Sequence, residues 1–140
     1  MTTLPRSLRD LIASGPLAHL STVDRDGGPQ VSVIWIGLDG EEIVSGHLNR
    51  SRKIHNVRHD PRVVLSFDAP RVPGVFLAEH ALVHATALIQ EGGAPELLHR
   101  LGKVYVGPDF DFPAPPDAAG YVLRYTVRRI GGVGPWAPGH

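Results

Sequence analysis

Strand-like runs follow one another along this chain with too little helix between them to build a parallel sheet. Residues 17–23, 29–38, 43–48, 62–67, 75–89 and 121–130 carry the β-branched and apolar bulk of strands. Only 6–14, a short stretch after Ser51, and 94–106 read as helix. A doubly wound sheet needs a helix after nearly every strand, so that class is excluded. Six short strands joined by tight turns predict a mainly β (α+β) domain, a six-stranded barrel with short helices. The 16 glycines and 13 prolines supply the turns. At 140 residues the whole chain, 1–140, is expected to form one domain.

The alternation inside these runs sets their faces. In PQVSVIWIGL, Gln30, Ser32 and Ile34 fall on one side and Val31, Val33 and Trp35 on the other. Asp39-Gly40 between two apolar runs is a type I′ hairpin signal, and the returning strand carries Ile43, Val44 and Leu48. Leu8, Leu11 and Ile12 share a face of the first helix, which Gly15-Pro16 ends. Leu97, Leu98, Leu101 and Val104 do so in the last.

Chemistry concentrates in NRSRKIHNVRHDPRVVLSF, residues 49–67. Arg50, Ser51, Arg52 and Lys53 put a hydroxyl and three cations at the mouth of a short helix. Ser51 is placed to cap it, and Asp60-Pro61 stops it. A helix N-terminus adds unpaired N–H donors and partial positive charge. Together these predict a receptor for a phosphate dianion. A solvated basic face is the competing reading of the same run.

Charge balance narrows the partners. Fourteen basic and fourteen acidic residues give zero formal charge, which argues against nucleic-acid or membrane-surface binding. The absence of cysteine removes thiolate nucleophiles, disulfides and iron–sulfur clusters. No apolar run reaches the ~20 residues of a membrane span, and no basic start precedes an apolar stretch, so a cytoplasmic protein is expected.

Other residues are weaker candidates. His80 and His84, with Glu79 adjacent, share a strand face, but two ligands do not make a metal site. Tyr105, Tyr121 and Tyr125 are possible proton donors, with packing the better reading for each. Arg58 and Arg62 are expected to pair with Asp60 or Asp68.

The opening helix into LAHLSTVDRDGGPQVSVIWIGLDG, the SRKIHNVRHDPRVVLSF block and the closing strand with GGVGPW together resemble the pyridoxamine 5′-phosphate oxidase-like superfamily of split β-barrel flavin proteins. The resemblance is to its deazaflavin branch, which uses coenzyme F420. It implies a homodimer with the cofactor in a groove between subunits. It implies that Ser51, Arg52 and Lys53 hold the phosphate, with Arg50 reaching the same anion or a polyglutamate tail. Gln30, Val31, Ser32 and Val33 would lie along the ring, with Ser45, Gly46 and His47 lining the same groove. Trp136 would cover the cofactor from the partner subunit. The implied activity is hydride transfer from reduced F420 to an electron-poor small molecule. The same motif also fits flavin mononucleotide (FMN), a non-catalytic binder of either cofactor would share it, and some relatives bind haem. Residues marking a true pyridoxamine-phosphate oxidase are not found.

Overall fold

A computed structural model describes residues 2–49, 51–115 and 117–138. In chain order the elements are α1 (Arg6–Ala13), β1 (Ala18–Val23), β2 (Pro29–Ile34), β3 (Gly37–Asp39), β4 (Glu42–His47), α2 (Arg52–His59), β5 (Arg62–Asp68), β6 (His80–Glu91), α3 (Ala94–Tyr105) and β7 (Tyr121–Val133). The strands form one antiparallel sheet, ordered β2-β1-β5-β6-β7-β4-β3.

The described residues form seven strands, not the six expected, because the run 29–38 is broken at Trp35-Ile36. Tyr105 breaks it. Its phenol oxygen accepts the Ile36 N–H at 3.0 Å and lies 2.6 Å from the Pro16 carbonyl and 3.1 Å from that of Ile36. Its ring stacks on Trp35, with centroids 5.2 Å apart. Ile36 therefore spends its backbone groups on a side chain rather than on a neighbouring strand. β2 pairs with β1, whereas β3 pairs with β4.

The two edge strands are thus consecutive in the chain, and two residues join them. The sheet must coil until its edges meet at that corner. Away from it they part. β3 reaches only Glu42–Val44 of β4, so Ser45, Gly46 and His47 are paired on the β7 side alone. β2 is paired on the β1 side alone. Among the described residues no ladder joins β2 to β4, so a split opens between them rather than a hydrogen-bonded closure.

Alternation fills the interior: Ala18 and Leu20, Val63, Leu65 and Phe67, and Ala81, Val83 and Ala85 all face inward. Ile54 and Val57 of α2 join this core. On the outside, Leu97 and Leu101 of α3 bury Val44 and Val122. β4 is consequently covered on both faces.

Two further boundaries differ from expectation. β6 begins at His80, not near residue 75. Pro70 and Pro73 cannot donate to a ladder, and Val75, Phe76 and Leu77 lie exposed in an irregular segment. β7 continues to Val133 because Gly131 and Gly132 stay paired with β6. Gly132 has φ +97°, and a Cβ there would collide with the His80 carbonyl.

Candidate functional site

β4 delivers the chain directly to α2, so the helix N-terminus follows the open end of the split. Ser51 holds the N-cap position with φ −81° and ψ 174°, but its side chain makes no cap hydrogen bond. Its Oγ is shut off from solvent and has no partner among the described residues. A buried hydroxyl left unsatisfied costs about 1–3 kcal/mol, so such an atom asks for a ligand. The N–H groups of Arg52 and Lys53 have no backbone acceptor among the described residues, whereas that of Ile54 already donates to the Ser51 carbonyl at 3.1 Å. Burial lowers the pKa of the Lys53 ammonium, and no carboxylate among the described residues pairs with it. An unpaired cation and an orphan hydroxyl on the first turn of one helix are what a phosphate would satisfy.

Arg52 does not join them as expected. Its guanidinium points to the β1–β2 turn, 3.6 Å from Asp24, with the side chain 69% exposed. Arg50 lies outside the described residues. The expected cluster of three cations therefore reduces, in what is described, to Lys53 with its charge unmatched.

Behind Lys53 runs a buried polar relay. Ser45 Oγ lies 2.7 Å from the Tyr125 hydroxyl and 2.8 Å from His47 Nε2. Ser45 is fully buried, Tyr125 nearly so, and His47 only 7% exposed. The Tyr125 hydroxyl has no other partner among the described residues, so its proton goes to Ser45. Ser45 is then free to donate to His47 Nε2, a pairing that calls for the tautomer protonated on Nδ1. Burial first, and the Lys53 charge second, lower the His47 pKa to about 3. His47 is a neutral donor at any ordinary pH. Ser45 and His47 thus face the barrel interior rather than an outer groove wall. Gly46 faces the other way, against α3, where a Cβ would sit 3.0 Å from Leu98 and 3.3 Å from the Ala94 carbonyl.

β2 divides likewise. Thr22 donates to Gln30 Oε1 at 2.9 Å, and Gln30 Nε2 donates to Ser32 Oγ at 3.1 Å. Asn56 of α2 donates to Thr22 at 3.0 Å and to Asp24 at 2.9 Å. This chain moors α2 to β1 and β2. Val31 and Val33 project from the opposite face and are 57% and 59% exposed. They offer an apolar stripe, but Gln30 and Ser32 do not share it.

Trp136 is no lid in this chain. It is 7% exposed, packs in the core, and its Nε1–H donates to the His80 carbonyl at 3.0 Å. Arg62 forks onto Asp60 at 2.7 and 3.0 Å, as expected, and that bond holds the Asp60 carboxyl down at about 2. Arg58 instead lies over the Tyr121 ring. Tyr105 and Tyr125 both have raised pKa values, chiefly from burial, and both hydroxyls are engaged. Asn56 and the Tyr125–Ser45 pair escaped the sequence reading. An asparagine between Ile54 and Val57, on the buried side of a short helix, was the available signal.

The profile of the pyridoxamine 5′-phosphate oxidase family matches residues 4–130. Curated protein sequences give no match. Among solved structures, one described as an F420 reductase aligns with TM-score 0.74 and 24% identity, covering 91% of this chain and 98% of that one. A conserved hypothetical protein of Mycobacterium tuberculosis aligns with TM-score 0.70 and 23% identity, over 94% and 87%. A heme binding protein of Mycobacterium smegmatis aligns with TM-score 0.66 and 23% identity, over 94% of this chain and 53% of that one. At these identities the likenesses establish the fold.

Proposed function

We propose that this chain, which belongs to the pyridoxamine 5′-phosphate oxidase family, is an oxidoreductase that holds a deazaflavin, coenzyme F420, by its phosphate at Ser51 and Lys53. The observation that carries the reading is the buried Ser51 hydroxyl, two positions before the partly buried Lys53, both without a partner among the described residues. Bound there, the cofactor would supply the hydride for an electron-poor small molecule. The chain supplies placement. Lys53 and the N–H groups of Arg52 and Lys53 take the anion, the buried Ser45–His47–Tyr125 relay stands uncharged behind them, and the open edge of β2 offers backbone donors. The exposed Val31–Val33 stripe is apolar enough to seat a ring or a second protomer, and a homodimer with the cofactor between subunits accounts for its exposure.

FMN is the second reading, because one phosphate and two donors do not distinguish the two cofactors. The experiment is a side-by-side fluorescence titration of the purified protein with F420 and with FMN. Tighter saturation by F420 is expected. Tighter saturation by FMN moves the assignment to the flavin, and failure of both to bind removes it.

A further inference from the structure

A cavity of about 660 Å³ is away from the Ser51–Lys53 corner, on the outer face of the sheet. Ser21, Val64, His84, Thr86, Arg62 and Arg128 are among its lining residues, and none of the lining residues is acidic. Its cationic side has an unusual origin. Consecutive residues of a strand point to opposite faces. Between His84 and Ala85 the β6–β7 register slips, so that His84 faces Arg129 while Ala85 faces Val127. The extra residue is Arg128. Such a bulge breaks the alternation and re-aims side chains, and Arg128 and Arg129 both come out exposed.

Neither arginine has a carboxylate within ion-pair distance among the described residues. The Arg128 guanidinium donates to the Thr86 hydroxyl at 3.3 Å, its one hydrogen bond among the described residues, and that of Arg129 lies 3.2 Å from His84 Nε2. The contrast is on the same strand: Arg124 is held by Asp39 at 2.9 Å and Glu42 at 3.1 Å. Of the two arginines that line the cavity, Arg62 is already neutralised by Asp60, which leaves Arg128, with Arg129 behind His84 at its margin. Two adjacent guanidinium groups repel each other, and an anion between them relieves that repulsion. Ser21 and Thr86 add hydroxyl donors, and Val64 with Val23 and Pro29 gives an apolar floor.

We infer that the β7 bulge builds a binding site for a small carboxylate with an apolar body, in the outer-face cavity beside Arg128 and Arg129. The site does not depend on the cofactor assignment. It is a candidate seat for the substrate or for an effector, and its ligand class is set by the Arg128 fork, the flanking charge of Arg129 and an apolar floor.

The test is an amide chemical-shift titration of the full chain with benzoate, with benzyl alcohol as the neutral isostere. Saturable shifts are expected at Ser21, Val64, His84 and Arg128, with benzyl alcohol producing none at equal concentration. The Arg128→Gln/Arg129→Gln variant should lose affinity about tenfold or more. Arg6→Gln, the same substitution at an exposed arginine on α1, should leave it unchanged. Should the double variant lose its folded spectrum, Thr86→Val, expected to weaken binding severalfold, takes its place. Equal binding of benzyl alcohol overturns the inference. So do shifts confined to the Ser51–Lys53 corner, shifts scattered over all basic residues, or variants that bind as the natural chain does.

Discussion

Ser51 and His47 are the residues whose environments make the sharpest claims. A hydroxyl that is buried without a partner contributes nothing to the empty protein's stability. Ser51→Ala is therefore expected to leave the thermal midpoint of the cofactor-free protein unchanged or slightly raised, while weakening cofactor binding by roughly 1–2 kcal/mol, about tenfold. A structural serine would show the reverse pattern. His47 predicts a pH dependence. Its folded pKa, about 3, lies below the ordinary value of 6.5, so the unfolded chain binds the extra proton. The stability held by the neutral ring is complete above pH 6.5. It declines as pH falls from 6.5 towards 3, by up to about 1.4 kcal/mol per pH unit. Denaturant melts from pH 7 to 4 should show that slope, and His47→Gln should flatten it.

Among the elements, α2 is the part whose position decides everything, and Asn56 moors it alongside the packing of Ile54 and Val57. Asn56 donates to Thr22 and Asp24 from a 2% exposed position. Asn56→Ala should cost about 2–3 kcal/mol in chemical denaturation, and a loss below about 0.5 kcal/mol would show that packing of Ile54 and Val57 suffices. This scale also shows what the sequence could and could not convey. The ends of α1, α2 and the β3–β4 hairpin were legible because Gly15-Pro16, Asp60-Pro61 and Asp39-Gly40 are local signals. The break at Trp35-Ile36 was not, because its cause, Tyr105, lies 69 residues away from Ile36. The basic run at residues 50–53 was visible in the sequence. Its dispersal was not, since Arg52 answers to Asp24 on a different element. The start of β6 was misjudged because Val75–Leu77 have strand-like composition but no partner strand.

For the whole molecule, the coiled sheet with consecutive edge strands is the frame that the family match at residues 4–130 implies. It leaves an apolar stripe of Val31 and Val33 on the outside of a chain with no net charge. We expect that stripe to be covered by a second copy. Val33→Glu should shift the protein from dimer to monomer in sedimentation velocity without unfolding it, because the position is already exposed. A natural chain that sediments as a monomer at tens of micromolar would remove the dimer from the account.

The account turns on an anion seated at the first turn of α2. The measurement that reaches it most directly is a fluorescence titration of F420 into the natural protein and Lys53→Ala, with thermal melts of both cofactor-free proteins alongside. Unchanged melting and affinity lowered about tenfold or more in the variant are expected, because a partly buried ammonium with no carboxylate partner among the described residues serves the ligand rather than the fold. Equal affinity in the two proteins would contradict it.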